Sequence, residues 1–359
     1  MPGFARNPAG GVLRLSQTYH RLKPRRPPSL VSIVMPIYNE EAVIPILRRE
    51  MTAFLERFPF QVEVVLVNDG SRDRSADLLW EWAENDPRIK VIQLGRNFGH
   101  QVAATAGLEH ATGDAVVLMD ADLQDPLEVI NDMVEQYAGG FDVVYGVRAK
   151  RQGESIFKRA SAWMFYRMMR LMVYKDLPVD AGDFRLMSRP CLEAVKSMRE
   201  VHRFLRGMVA WVGFPQTSVS YVRAPRAGGE TKYPLRKMLR FAWDAAVSFS
   251  TLPLRMSFAF GSMTAAIGLA YGIYAAFTKL FGYTVQGWTS LTVLVCLIGS
   301  AILICIGVLG EYVGRVFEEI KRRPLYVVSD TINLSGDVVD AASPANRSTL
   351  ARVGPPAPR

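Results

Sequence analysis

Short apolar runs alternate with segments of helical periodicity along the N-terminal part of the chain. Runs rich in β-branched and aliphatic residues predict strands at 31–35, 62–67, 89–94, 115–119 and 142–147. Apolar positions at helical spacing predict helices near 41–57, 73–84, 99–111 and 127–138. The alternation predicts an α/β domain with a mostly parallel sheet and helices on both faces. Ligands of such domains bind beyond the carboxyl ends of the strands.

Two uncharged apolar segments follow, at 256–277 and 288–309. Each is long enough to cross a hydrocarbon core of roughly 30 Å as a helix. Lys and Arg residues precede the first segment and follow the second, whereas the connection holds only Lys279. The positive-inside rule therefore predicts a two-helix transmembrane hairpin with both flanks in the cytoplasm. A buried core helix is the alternative for either segment.

Residues 235–250 lie between the α/β domain and the first apolar segment. Their apolar side chains fall on one helical face, and the charged ones lie mostly elsewhere. Because a span follows directly, the pattern favours a helix lying in the membrane surface. An amphipathic helix packed on the domain is the alternative.

Charge is concentrated at the N-terminus. The chain has a net charge of +9, and residues 1–30 contain six basic residues and no acidic one. This arm is rich in proline and lacks an apolar segment of signal-peptide length, so we predict that it is disordered. Contact with anionic lipid and a solvated tail are both open interpretations, and nucleic acid is not an expected partner. The widely spaced Cys191, Cys296 and Cys305 indicate neither a metal site nor a disulfide framework.

Polar motifs stand where three of the predicted strands end: P-I-Y-N-E at 36–40, N-D-G-S at 68–71 and D-A-D-L-Q at 120–124. In the third, two carboxylates and an amide oxygen alternate along the chain, which suits a divalent cation bound to a diphosphate. In the first two, an Asp can accept from a nucleobase N–H and a Tyr can stack on the base. Ordinary turns, or a strand end in solvent, are the alternatives for each motif. Neither G-x-G-x-x-G nor a P-loop is present.

These motifs, with four others, resemble those of the family 2 glycosyltransferases with the GT-A fold. The similarity is to the polyprenyl-phosphate glycosyltransferase group, which includes dolichol-phosphate mannose synthases and GtrB-type bactoprenol-phosphate glucosyltransferases. It extends from about residue 30 to 333. The four further motifs are R-N-F-G at 96–99, G-D-F-R-L-M at 182–187, R-x-x-G-x-T-K at 226–232 and L-G-E-Y-V-G-R at 309–315.

The resemblance implies an inverting, metal-dependent transfer of a sugar from a nucleotide donor to polyprenyl phosphate. UDP-glucose and undecaprenyl phosphate are the expected substrates. Other donors, carrying 4-deoxy-4-formamido-arabinose, galacturonate or mannose, are alternatives. The implied location is the bacterial inner membrane, with the reaction on its cytoplasmic leaflet and with an oligomer assembled through the spans.

The resemblance also assigns roles to residues. Those expected to hold the nucleotide sugar are Pro36, Tyr38, Glu40, Asp69, Asp120, Arg226 and Lys232. Those expected to hold Mg²⁺ or Mn²⁺ are Asp120, Asp122 and Gln124. Those expected to seat the acceptor phosphate are Arg148, Lys158 and Arg159. The expected catalytic residues are Asp122 and Asp183. Asp183 is the candidate for an acid, a base or an orienting carboxylate, and a buried carboxylate paired with Arg185 is the alternative.

The predicted organisation has six parts. They are a disordered basic arm at 1–29, a cytoplasmic GT-A catalytic domain at 30–233, an interfacial helix at 234–255, two transmembrane helices at 256–310, a cytoplasmic juxtamembrane segment at 311–334 and a disordered tail at 335–359. A processive polysaccharide synthase is disfavoured because the Q-x-x-R-W motif of such enzymes is missing. A non-catalytic membrane scaffold is disfavoured because the motifs at 120–124 and 226–232 are intact.

Overall fold

The structure, a computed structural model, describes residues 22–148, 181–222, 252–281 and 288–334. Several expectations fall outside these residues. They concern Lys158, Arg159, Arg226, Lys232, the arm before residue 22, the interfacial helix up to residue 251 and the tail from residue 335.

The predicted alternation of strands and helices is confirmed. The five expected strands are β1 (Leu30–Ile37), β2 (Gln61–Asn68), β3 (Ile89–Leu94), β4 (Ala115–Leu118) and β5 (Val143–Arg148). The four expected helices are α1 (Ile44–Arg57), α2 (Ser75–Asn85), α3 (His100–His110) and α4 (Val129–Ala138). The core strands form because nearly continuous apolar runs are buried on both sides of the sheet.

Further elements complete the domain. They are β6 (Ala181–Ser188), α5 (Arg189–Ser197), α6 (Leu205–Trp211), β7 (Gln216–Tyr221) and β8 (Val328–Ile332). The sheet has eight strands in the order β7-β5-β6-β4-β1-β2-β3-β8. β6 runs antiparallel to β4 and β5, and β8 runs antiparallel to β3, while the other described pairs are parallel. The expected α/β class with a mostly parallel sheet is therefore confirmed.

Each face of the sheet carries its own hydrophobic core. One core packs α1, α2 and α4 against the sheet, and the other packs α3, α5 and α6. α3 lies especially close, because a Cβ at Gly107 would come within 2.3 Å of Val34 Cγ1. The N-terminus of α3 is thereby held at the edge where β1 and β2 end.

Two long helices follow, α7 (Leu252–Leu280) and α8 (Trp288–Ile320). Met256–Tyr274 in α7 and Leu297–Ile320 in α8 are long and apolar enough to span a membrane, and both are largely exposed. In this structure, therefore, neither stretch is buried in the core of the domain. Residues 252–255, expected in the interfacial helix, begin α7, and α8 continues beyond the predicted end at Leu309.

The segment after α8 returns to the eight-stranded sheet. Val328 in β8 pairs with Leu94 at the carboxyl end of β3, and Gly95 N donates to Val327 O at 2.9 Å. The Tyr326 side chain is buried, and its hydroxyl donates to Glu109 at 2.5 Å. Residues 311–334, expected as a cytoplasmic juxtamembrane segment, thus contain the end of α8 and the edge strand β8.

Residues 22–29, expected in the disordered arm, lie against the domain in the structure. The Arg25 guanidinium donates to Asp142 and to the carbonyl of Gly140, both at 2.8 Å, and stacks on the Tyr137 ring. Ser29 N donates to Asp114 at 2.8 Å. Because α4 ends and β4 and β5 begin near these contacts, the chain enters at the edge opposite the strand carboxyl ends.

Candidate active site

The acidic motif and Asp183 meet at one edge of the sheet because β6 is antiparallel. Leu118, the last residue of β4, pairs with Arg185 of β6. The strands run in opposite directions, so the residues that follow Leu118 lie beside those that precede Arg185. This register brings Asp120 and Asp183 together although they are far apart in the sequence.

Asp183 is a buried, ion-paired carboxylate. Arg206, in α6, donates to its two oxygens at 2.8 and 3.1 Å, and Arg185 Nη2 lies 3.5 Å away. Burial favours the neutral acid, but the hydrogen bond with His100 and the charge of Arg206 prevail and hold the pKa of Asp183 far below its usual value. The carboxylate is therefore ionised at neutral pH, which suits an orienting role better than that of a proton donor. The Arg185 pair expected as an alternative exists, but Arg206 lies closer.

His100 connects Asp183 with the acidic motif. It is the first residue of α3, and Gly99 before it has φ +97°, a conformation that favours glycine. His100 Nε2 lies 3.5 Å from Asp183 Oδ2 and 3.6 Å from Asp120 Oδ1. Burial would lower the pKa of His100, but the hydrogen bond to Asp183 and the charge of Asp120 raise it above its usual value.

Negative charge accumulates around Asp120. Burial raises its pKa, and the charges of Asp183, Asp122 and Asp125 raise it further against the opposing effect of His100. A divalent cation placed here would relieve this repulsion, and carboxylate and amide oxygens are donors that Mg²⁺ and Mn²⁺ accept. The residues present therefore fit such an ion.

The donor set of the protein alone is nevertheless small. Within the described ranges, no group of three or more His, Cys, Asp or Glu side chains is arranged to hold a metal. Two carboxylates and the Gln124 amide would need phosphate or water oxygens to complete the coordination of an ion. This composition is typical of a cation that binds together with a diphosphate.

The acidic loop has a specific backbone shape. Gln124 N donates to Asp122 Oδ1 at 3.1 Å, and Leu123 between them has φ +57°, which is unusual for a residue with a side chain. Gln124 is mostly buried and Asp122 is half-buried. The Asp122 side chain therefore stabilises the turn that contains it.

The P-I-Y-N-E segment ends β1 at the same edge. Pro36 is buried in the strand, whereas the Tyr38 ring is exposed and accessible for stacking. Glu40 N donates to Ser75 Oγ at 2.9 Å, which ties the segment to the start of α2. The expected nucleoside residues of this segment therefore border the edge that holds the acidic loop.

Asp69 has a structural role that the sequence did not predict. Its two oxygens accept from Phe98 N at 2.7 Å and Gly99 N at 2.9 Å, so Asp69 holds the loop that leads into α3. Burial raises its pKa despite these hydrogen bonds. Gly70 beside it has φ +64°, and a Cβ there would lie 2.5 Å from the Arg96 carbonyl carbon.

Arg148 is the last residue of β5 and pairs with Tyr221 of β7, so its backbone lies at the carboxyl edge. The other expected phosphate ligands, Lys158 and Arg159, lie outside the described residues, as do Arg226 and Lys232.

Two residues of this edge were missed by sequence reasoning. His100 carried a signal, since a titratable residue follows a glycine at a predicted strand-to-helix turn. Arg206 carried none, because its contact depends on where α6 packs.

Comparison with known proteins identifies the family. The sequence model of the family described as Glycosyl transferase family 2 matches residues 32–196. The sequence model described as GtrB C-terminal hairpin matches residues 252–316. The glycosyltransferase YkcC of Bacillus subtilis is 46% identical over 304 residues, which cover 84% of this chain and 94% of YkcC. The bactoprenol glucosyl transferase of Shigella phage SfII is 40% identical over 299 residues, 83% of this chain and 97% of the relative.

Among solved structures, the chain aligns with glucosyl-3-phosphoglycerate synthase of Mycobacterium tuberculosis in complex with Mn²⁺, UDP-glucose and phosphoglyceric acid. The TM-score is 0.41 and the identity 16%, over 62% of this chain and 78% of the synthase. The sequence relatives are far closer and extend through the apolar helices. The chain belongs to the family 2 glycosyltransferases and carries the GtrB-type C-terminal hairpin.

Proposed function

We propose that this glycosyltransferase transfers glucose from UDP-glucose to undecaprenyl phosphate, with inversion at the anomeric carbon and with Mg²⁺ or Mn²⁺ bound. One observation carries the proposal: the acidic loop and the end of the second apolar helix lie at the same edge of the sheet. Val328 pairs with Leu94 at the carboxyl end of β3, and residues 321–327 connect it to α8. Seven extended residues reach at most about 25 Å, so the helix end lies within that distance of Val328.

A second contact supports the same placement. Glu318 and Glu319, at the end of α8, accept from His202 at 2.6 Å and from Val201 N at 2.8 Å. The chain then enters α6, where Leu205 N donates to Gln101 at 3.0 Å. Gln101 follows His100 directly. A lipid phosphate at the membrane surface would therefore approach the edge that holds the proposed donor site.

The acceptor needs little activation. A phosphate monoester has a second pKa near 6 and is already anionic at neutral pH, so a strong general base is unnecessary. Asp183, with its low pKa and its Arg206 partner, orients the site rather than accepting the proton. Arg148, Lys158 and Arg159 would attract the acceptor phosphate. When bound, the divalent ion neutralises charge on the leaving nucleoside diphosphate.

On the donor side, Asp120, Asp122 and Gln124 would hold the ion. Pro36, Tyr38, Glu40 and Asp69 would shape the nucleoside pocket, with Asp69 acting through the loop it holds. Arg226 and Lys232 would bind the diphosphate. In this assignment, Asp122 is the catalytic metal ligand.

The hairpin would place the enzyme in the bacterial inner membrane. Lys321, Arg322 and Arg323 follow α8, whereas the connection between the helices carries only Lys279, which favours a cytoplasmic catalytic domain. An oligomer formed through the helices belongs to the same proposal. The orientation can be tested with Thr284→Cys, by treating intact cells with a thiol reagent that does not cross the membrane. Labelling of this cysteine from outside is expected, and labelling only from the cytoplasmic side would overturn the proposed orientation.

The deciding experiment is a donor screen with purified full-length protein and undecaprenyl phosphate. Radiolabelled UDP-glucose should give organic-soluble counts, and GDP-mannose, UDP-galacturonate and UDP-4-deoxy-4-formamido-arabinose should give few. The matched control is Asp122→Asn, which keeps the side-chain size and should abolish the counts. Transfer from a different donor would change the proposed sugar. Donor binding without organic-soluble product would indicate a scaffold and overturn the enzymatic proposal.

A further inference from the structure

Asp125 is a buried carboxylate directly after the last proposed metal ligand, Gln124. It is 2% exposed, and the hydroxyl of Tyr221, itself 5% exposed, donates to it. A carboxylate excluded from water requires such a partner. The two residues are separated by 96 positions, so this contact ties the acidic loop to the end of β7.

Tyr221 is itself held firmly in place. Its ring packs edge-on against Phe184, with ring centroids 5.6 Å apart and an angle of 83° between the ring planes. Phe184 stands between Asp183 and Arg185 on β6. The rings meet over Gly146, where a Cβ would come within 2.7 Å of Phe184 and 2.9 Å of Tyr221.

The loop needs an anchor because its backbone is strained. Leu123 has a positive φ of 57°, a conformation that side-chain residues keep only when surrounding contacts impose it. The bend at Leu123 lies between the two proposed metal ligands Asp122 and Gln124. Asp125, two residues after Leu123, is where the contact to β7 is made.

We propose that Tyr221 is a positioning residue of the active site, whose hydroxyl holds Asp125 and thereby keeps Asp122 and Gln124 in the geometry that binds a divalent ion with a nucleoside diphosphate. This inference rests on the proposed metal-dependent donor site. It assigns no role to Tyr221 in the chemistry, and it does not depend on the acceptor.

The test is the affinity of purified full-length protein for Mn²⁺ with UDP, measured by isothermal titration calorimetry. Tyr221→Phe keeps the ring on Phe184 and removes only the hydroxyl. We expect its Kd to rise about tenfold, since a hydrogen bond to a charged group is lost.

Tyr145→Phe is the matched control. Tyr145 is also buried and lies on neighbouring β5, but its hydroxyl donates to Gln216 at the start of β7, 2.9 Å away. Its Mn²⁺·UDP affinity should match wild type. The KM for undecaprenyl phosphate should be unchanged in Tyr221→Phe, a separation that general loosening of the fold would not produce.

Wild-type affinity in Tyr221→Phe overturns the inference, and so does an equal loss in Tyr145→Phe. Either result leaves the proposed function intact as long as the wild-type protein still makes lipid-linked sugar. Conversely, wild-type protein that binds Mn²⁺·UDP but makes no lipid product overturns the proposed acceptor, while the expected pattern among the variants would still support the role of Tyr221. Absence of any Mn²⁺·UDP binding by wild type overturns both.

Discussion

Replacing Tyr326 by alanine should destabilise the catalytic domain, although Tyr326 lies beyond both apolar helices. Its side chain is 4% exposed, its hydroxyl donates to Glu109 at 2.5 Å, and its ring lies 6.4 Å from that of His110. Truncating a buried aromatic residue to alanine costs about 3–5 kcal/mol. In a domain of this size that corresponds to a fall in Tm of about 10 °C.

Thermal unfolding of the purified protein in detergent measures this effect. Tyr326→Phe separates the hydroxyl from the ring and should lower Tm by only about 3 °C, because one hydrogen bond is lost while the packing remains. Tyr38→Ala is the control, since the Tyr38 ring is 42% exposed and its removal should leave Tm nearly unchanged.

The Tyr326→Ala variant also tests the connection between α8 and the sheet. Below its unfolding temperature, Tyr326→Ala should still bind Mn²⁺·UDP, because the residues of the proposed donor site lie on other strands. Transfer to the lipid acceptor should fall more strongly, since β8 connects α8 to the sheet. If Tyr326→Ala unfolds at the wild-type temperature, the segment after α8 does not contribute to the domain core and the reasoning fails.

Three further predictions concern charged groups. Asp122→Ala should abolish transfer while the protein remains folded in membranes, and near-wild-type turnover would exclude the metal assignment. Arg206→Met should lower kcat by about tenfold or more, because it removes both hydrogen bonds that Arg206 donates to Asp183. Arg206→Lys keeps the positive charge and should retain part of the kcat that Arg206→Met loses. Equal kcat values for the two variants would argue against an orienting ion pair. Glu63→Gln should cost about 2–4 kcal/mol at pH 7, because buried Glu63 pairs with Lys90. Burial opposes ionisation of Glu63, but its hydrogen bonds hold its pKa in the folded protein below the usual 4.5. The stabilisation is therefore fully present above pH 4.5, and it is lost as the pH falls through the pKa of the folded state. The Tm difference between wild type and Glu63→Gln should therefore shrink in acid, and a difference independent of pH would contradict the sign of the shift.

Hydrophobic patterning predicted the first five strands and four helices, because each of these elements buries apolar residues at a regular spacing. The same patterning failed for β6. That strand contains Asp183 and Arg185, which are polar in the sequence yet buried together in the fold. Their burial is tolerated because the Asp183 carboxylate pairs with both Arg185 and Arg206, a relationship that periodicity cannot reveal.

The candidate site was predictable to a similar extent. The position of the acidic motif at a strand end follows from local pattern alone. The His100 contact requires knowledge that β6 is antiparallel, since only that direction brings Asp183 beside Asp120. The Tyr221–Asp125 contact depends on the placement of β7 beside β5, which no local signal specifies.

The antiparallel strands β6 and β8 bring the end of α8 and the acidic loop to one edge of the sheet, which is the arrangement on which the proposed membrane-side donor site depends. An antiparallel strand begins where its parallel neighbours end, so a segment that enters the sheet through such a strand arrives at the ligand-binding edge. β6 enters there and presents Asp183, and β8 enters there directly after the membrane helix. Had β8 run parallel to β3, the connection from α8 would have reached the opposite edge, where the N-terminal segment lies. In the proposed membrane arrangement, strand direction would therefore determine which side of the domain faces the bilayer, and it would select the side that holds the acidic loop.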